Sequence, residues 1–256
     1  MQYIDCKAYA QEILDEVKDI PEKKELWILS MGDNPASKSY VKGKMKDCDY
    51  CEIPYSYIKV NTQASLARHI HKANTSSFVG GVIVQLPLPE GMDETAYTDS
   101  ISIFKDVDGF RDNSKFNPCT PEGIMYVLNK ELGDLTGKKA LVIGRGKLVG
   151  TPIAEMLLAA DCTVTVAHSK TKNLNELLAT NEIIISAVGK PNTVDLKQCC
   201  VAKVVVDVGV NRDENGKLCG DCYNFSPNGM NIKVTPVPNG IGLMTRAMLM
   251  KHMSEV

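Results

Sequence analysis

The segment that most constrains this chain is Lys138 to Gly150, KKALVIGRGKLVG. An apolar run, Ala140 to Ile143, leads into Gly144, Arg145, Gly146 and Lys147, and Val149 and Gly150 close the turn. Beyond Gly150, Ile153, Met156, Leu157 and Ala160 recur at three and four residues, the spacing of one helix face. Strand, glycine turn and helix in this order is how an α/β sheet binds a dinucleotide. Glycines let the backbone approach a pyrophosphate, and the helix N-terminus offers free N–H groups and a positive dipole end. The spacing G-x-G-x-x-x-G is one residue longer than the usual fingerprint, and a plain tight turn also produces it.

The next segment strengthens the dinucleotide reading. Thr163 to Ala167, TVTVA, reads as a second strand ending at His168, Ser169, Lys170 and Thr171, about where a ribose-reading residue belongs. An NAD site usually carries an acid there; this chain has hydroxyls and a lysine, with Arg145 in the turn. Guanidinium and ammonium groups pair with phosphate oxygens, so the expected cofactor is NADP, with NAD as the alternative.

The second half alternates strand and helix from about Thr120 to Ile241, a βαβ array. Glu182 to Val188 and Val204 to Val210 read as strands ending at Gly189 and Asn211, and Val234 to Pro238 as a last short one. Thr120 is the expected N-cap of a helix, with Pro121 in its first turn. The first half is also α/β. Ser37 to Cys51 is an expected helix on which Tyr40 and Lys44, four apart, share a face, while Lys42 and Lys46 point elsewhere. Gly80 to Leu86 reads as a buried strand with Gln85 at its carboxyl end, where parallel sheets place ligands. Asp106 and Asp108 fall in a loop.

The 256 residues allow one large or two modest domains. A net charge of −2 and the lack of a basic stripe with interleaved aromatics argue against a nucleic-acid partner. No apolar run approaches the roughly 18 residues that span a membrane, so no membrane association is expected. The first residues lack the apolar core of a signal peptide, which points to the cytoplasm. Nine cysteines include two C-x-x-C pairs, Cys48 with Cys51 and Cys219 with Cys222; reduced, packed thiols are expected rather than a metal site.

Taken together, several segments resemble the methylenetetrahydrofolate dehydrogenase/cyclohydrolase family nearly end to end. They are Tyr40-Val41-x-x-Lys44, Val84-Gln85-Leu86-Pro87-Leu88-Pro89, Lys105-Asp106-Val107-Asp108-Gly109 and Pro118-Cys119-Thr120-Pro121. The Gly144 to Gly150 turn, His168-Ser169-Lys170-Thr171 and Pro236-Val237-Pro238 complete the set. The resemblance implies two α/β domains with a cleft between them: a folate-binding catalytic domain over 1–119 and a Rossmann-like NAD(P)-binding domain over 120–242. A C-terminal helix, 243–256, would pack back on the first. The implied chemistry is oxidation of 5,10-methylenetetrahydrofolate to the methenyl form, then hydrolysis to 10-formyltetrahydrofolate.

By resemblance, Asp108 takes the pterin N–H donors, while Tyr40 and Gln85 hold the Lys44 amine, which serves the hydrolysis as acid or base. Substrate contacts are implied at Tyr40, Gln85, Pro87, Asp108, Pro238, Gly240 and Ile241. Cofactor contacts are implied at Gly144, Arg145, Gly146, Val149, Gly150, His168, Ser169, Lys170, Thr171, Val188, Gly189, Val210 and Asn211. No metal is implied, and a homodimer is. Two departures stand out: Gly146 where the family usually has serine, and Asn239 where it usually has glycine, a position asparagine tolerates if the backbone turns left-handed. Two other readings remain: a dehydrogenase with a weak hydrolase step, and a folate- or nucleotide-binding protein without catalysis.

Overall fold

In the computed structural model, which describes residues 1–226 and 231–256, the chain opens with β1 (Gln2–Tyr3) and α1 (Cys6–Lys18). Three strand–helix steps come next: β2 (Glu25–Met31) to α2 (Pro35–Tyr50), β3 (Tyr55–Val60) to α3 (Gln63–Thr75), and β4 (Val79–Val84) to α4 (Glu94–Asp99). After α5 (Cys119–Leu132) come β5 (Lys139–Ile143), α6 (Gly150–Ala159), β6 (Thr163–Ala167), α7 (Leu174–Thr180) and β7 (Ile183–Ser186). The remainder comprises β8 (Val194–Asp195), β9 (Val204–Asp207), β10 (Asn211–Arg212), β11 (Leu218–Cys219) and β12 (Cys222–Tyr223). It ends with β13 (Lys233–Val234) and α8 (Ile241–Ser254).

The chain divides into two units, Met1–Ala10 with Thr120–Thr245, and Gln11–Cys119 with Arg246–Val256. The first ten residues therefore group with the second half of the chain rather than with the rest of 1–119, because β1 pairs in parallel with β13, Gln2 opposite Lys233. This unit holds a six-stranded parallel sheet in the order β1-β13-β9-β7-β5-β6. Every residue of β7 and β9 is buried, as expected for central strands enclosed on both faces. Leu141, Ile184 and Val205 lie in its core with Leu178 from α7.

The other unit is built on a three-stranded parallel sheet with β2 in the middle, order β3-β2-β4. Leu66, Ile70 and Ala73 line one face of α3 and pack with Leu29 and Val82. The α8 residues of this unit hold α2 by an ion pair, Arg246 Nε to Asp47 Oδ2 at 3.3 Å, and by a sulfur contact, Cys48 Sγ to Met250 Sδ at 3.7 Å.

Several strands stop earlier than the apolar runs suggest. The β7–β9 ladder ends where Ser186 faces Asp207, so Val188, Gly189 and Val210 lie beyond it in loops and Asn211 opens a separate short strand. Likewise β4 ends at Val84, which leaves Gln85 just past the strand. The last strand is Lys233–Val234 rather than 234–238. Thr120 is not an N-cap: α5 begins at Cys119, and the Thr120 hydroxyl lies 3.0 Å from that of Thr245. Among the described residues, no helix is long and apolar enough to cross a membrane.

Candidate active site

Two sites emerge, one in each unit. In the unit built on β2–β4, the Asn34 side chain caps α2 by accepting from the Ala36 and Ser37 N–H groups, and Pro35 presets the first turn. The helix then brings Tyr40 and Lys44 onto one face, with Lys44 Nζ 5.5 Å from the Tyr40 ring centroid. Lys42 and Lys46 are exposed. Lys44 Nζ lies 3.8 Å from Asp108 Oδ1, and the two side chains are only 5% and 10% exposed. That separation exceeds a hydrogen bond, so the pair is not closed on itself. Burial raises the Asp108 carboxyl above its ordinary range, and the Lys44 ammonium opposes the shift.

Gln85 departs from its expected role. Its amide nitrogen donates to Leu86 O at 2.7 Å, and its buried Oε1 has no partner, so it does not hold Lys44. A buried carbonyl without a donor is costly, and a bound ligand's N–H would satisfy it. Pro87, exposed, comes after a cis Leu86–Pro87 bond.

The backbone around Asp108 is fixed from several directions. The Asp106 carboxylate accepts from Gly109 N at 3.1 Å and Arg111 N at 2.9 Å, while Cys119 N donates to Asp108 O. His252, 1% exposed on α8, lies with Nδ1 2.8 Å from Val107 O; a carbonyl only accepts, so Nδ1 carries the proton. The His252 ring stacks on Phe116 at 4.4 Å, and the Cys119 thiol donates to the same carbonyl. Gly109 has φ +70°, and a Cβ there would lie 2.3 Å from Asn117 O. Gly109→Ala is therefore expected to cost at least about 1 kcal/mol and to lower the thermal midpoint. An unchanged midpoint would contradict this account of the loop.

In the unit carrying the six-stranded sheet, the glycine turn is as tight as the sequence requires. Gly144 has φ +108°, and a Cβ on it would meet Ala187 O at 2.4 Å; one on Gly150 would meet Gly144 O at 2.3 Å. Gly146 is different: nothing lies within 4 Å of a Cβ built there, so its backbone would admit serine. Val149 precedes α6 and gives no side-chain cap, while Arg145, Gly146 and Lys147 are exposed. An uncapped helix start beside an arginine suits a pyrophosphate or a ribose phosphate.

Past β6, His168 N donates to the Thr171 hydroxyl at 2.9 Å and Lys170 N to His168 Nδ1 at 3.2 Å, leaving Ser169 and Lys170 exposed. Val188 and Gly189 are exposed after β7, and Val210 is 70% exposed. Asn211 directs its amide nitrogen into the protein, onto Asp221. A cavity of about 120 Å³ is lined by Val210, Val237, Pro238, Asn239, Gly240 and Ile241. Asn239 has φ +71°, the left-handed region in which asparagine best replaces glycine. All nine cysteines are free thiols, and among the described residues no group of three or more His, Cys, Asp or Glu is placed to hold a metal ion.

Sequence reasoning missed Asp106 as a loop brace, His252 and Asp221. Asp106 stands in one of the family-like segments, but its role depends on where the chain turns. His252 and Asp221 act across long stretches of chain and carry no local signature.

Residues 4–108 match the tetrahydrofolate dehydrogenase/cyclohydrolase catalytic-domain model, and residues 118–256 match the NAD(P)-binding-domain model of the same name. The bifunctional protein FolD of Agathobacter rectalis is 38% identical over 271 residues, covering 98% of this chain and 97% of its own. A crystal structure of the bifunctional FolD methylenetetrahydrofolate dehydrogenase/cyclohydrolase from Campylobacter jejuni is 37% identical with a TM-score of 0.89, covering 98% and 96%. The Trypanosoma brucei N5,N10-methylenetetrahydrofolate dehydrogenase-cyclohydrolase, solved with NADP and an inhibitor, is 28% identical with a TM-score of 0.90 over 98% and 95%. Matched in both halves and along nearly its whole length, the chain belongs to the tetrahydrofolate dehydrogenase/cyclohydrolase family.

Proposed function

We propose that this protein oxidises 5,10-methylenetetrahydrofolate to the 5,10-methenyl form with NADP and hydrolyses that product to 10-formyltetrahydrofolate. The observation that carries the catalytic reading is the buried, unclosed Lys44–Asp108 pair, with a partnerless buried Gln85 carbonyl just past β4 of the same unit. It offers a carboxylate, an amine and an acceptor to one polar ligand. Asp108 accepts the paired N–H donors of the pterin, Gln85 Oε1 accepts a further donor, and Tyr40 and Pro87 bound the ring. Pro238, Gly240 and Ile241 complete the substrate contacts.

NADP, when bound, supplies the hydride acceptor. The residues that hold it are Gly144, Arg145, Gly146, Val149 and Gly150 at the phosphates, His168 to Thr171 at the ribose, and Val188, Gly189, Val210 and Asn211 beyond the strand ends. In the hydrolysis, water adds to the methenyl carbon. The Lys44 amine takes a proton from that water and returns one to N5 as the carbon–N5 bond breaks, while the remaining hydroxyl proton of the adduct leaves to solvent as the formyl C=O forms. The same reading places the protein in the cytoplasm as a homodimer acting on tetrahydrofolate derivatives, in line with its free thiols.

The hydrolase half is tested alone by supplying methenyltetrahydrofolate without cofactor; decay faster than the buffer rate supports it, and decay at the buffer rate removes it. Cofactor choice is tested by Arg145→Ala. Loss of a charge-assisted phosphate contact is worth roughly 1.5–3 kcal/mol, so the KM for NADP should rise far more than that for NAD. Equal losses with both would overturn the NADP assignment.

A further inference from the structure

Asp221 lies between two cysteines and is fully buried. Its carboxylate accepts five hydrogen bonds: from Ser186 Oγ at 2.9 Å, Val188 N at 3.1 Å, Gly189 N at 3.3 Å, Lys190 N at 2.8 Å and Asn211 Nδ2 at 2.9 Å. Three successive backbone N–H groups around Gly189, whose φ is +62°, form an anion-binding nest, and the protein fills it with its own carboxylate. Asp207 in turn holds Asp221 in place, accepting from the backbone N–H groups of Gly209, Asp221 and Cys222, each at 2.9 Å.

This arrangement bears directly on the dinucleotide site. The N–H and C=O of a trans peptide point in opposite directions, so binding Val188 N turns Ala187 O the other way. Ala187 O lies against the first glycine of the phosphate turn: a Cβ on Gly144 would be only 2.4 Å from it. One carboxylate thereby sets the peptide planes after β7, their contact with the Gly144 turn after β5, and the Asn211 side chain after β9.

We infer that Asp221 is a positioning residue for the dinucleotide, holding the loops after β7 and β9 in their binding geometry without touching the cofactor. The inference rests on the cofactor assignment under Proposed function. It also separates Asp221 from Arg145: Asp221 shapes backbone common to both cofactors, so its loss affects NAD and NADP alike. An asparagine there is nearly isosteric but points an NH2 group at backbone N–H groups, which breaks the nest without removing volume.

The test is calorimetric binding of NADP and of NAD to Asp221→Asn, alongside methenyltetrahydrofolate hydrolysis in the same preparation, since hydrolysis uses no cofactor. Expected is a rise in Kd of roughly tenfold for both dinucleotides, in similar proportion, with hydrolysis within about twofold of the unmodified protein. A general folding defect would depress hydrolysis too. If Asp221→Asn does not fold, Ser186→Ala removes one donor and keeps the backbone bonds; a smaller weakening, about threefold for both cofactors, is then expected. Unaltered affinity in the variant, or a loss confined to NADP, overturns the inference. Unmodified protein that binds neither dinucleotide overturns the cofactor assignment and this inference together.

Discussion

Lys44→Met is expected to separate the two activities. Methionine keeps the apolar stem and helix propensity of lysine and deletes the amine. Hydride transfer moves no proton through that amine, whereas hydrolysis needs one taken from water and one returned to N5. Cyclohydrolase activity should fall at least roughly a hundredfold, the scale of a lost general acid–base group, while dehydrogenase activity persists in part. The 3.8 Å approach of Lys44 to Asp108 adds a second signature. Burial already pushes the Asp108 carboxyl upward, and Lys44 is what opposes the shift. Without the ammonium the carboxyl rises further, and its charged, pterin-binding form is regained only as pH increases. The residual dehydrogenase activity of the variant should therefore recover with rising pH. The paired measurement is cofactor reduction in one assay and methenyltetrahydrofolate decay in the other. Equal loss in both, or spared hydrolysis, would mean that the lysine only orients the substrate.

Asp108→Ala is expected to abolish both activities together, because both act on the same bound ring. The two hydrogen bonds proposed from ring donors to this buried carboxylate would be lost, each worth roughly 1.5–3 kcal/mol, which amounts to at least about a hundredfold in kcat/KM. The variant also leaves Lys44 buried without its anion, which adds to the loss. Asp108→Asn should be nearly as severe, since an amide offers one acceptor where the paired donors need two. Calorimetry with the folate substrate checks the cause. Unchanged affinity in Asp108→Ala would assign the carboxylate a task other than holding the pterin.

Much of this was legible in the chain itself. The glycine turn works locally, and Gly144 and Gly150 are tight for the steric reason their spacing implies. Tyr40 and Lys44 share a helix face as their spacing dictates. The two-unit α/β organisation matches the expected fold class, since apolar runs and amphipathic segments alternate along both halves. Strand ends were less legible. Val188 and Val210 extend apolar runs, yet the ladder stops at Ser186 and Asp207, where the Ser186 hydroxyl donates to the Asp221 carboxylate and the Asp207 N–H donates to the Thr235 hydroxyl. Long-range partners were not legible. Nothing local shows that Asp221 gathers donors from two distant segments, Ser186 to Lys190 and Asn211, or that His252 braces Val107. Spacing placed Gln85 at the carboxyl end of β4 but not the direction of its amide, which local bonding to Leu86 decides.

The most direct measurement mixes the purified protein with 5,10-methylenetetrahydrofolate and NADP and tracks reduced cofactor, the methenyl form and 10-formyltetrahydrofolate together. The bifunctional account predicts reduced cofactor and 10-formyltetrahydrofolate rising in equal amounts with little methenyl form accumulating. Methenyl product accumulating in step with reduced cofactor would contradict the hydrolase half, and no reduced cofactor at all would contradict the account as a whole.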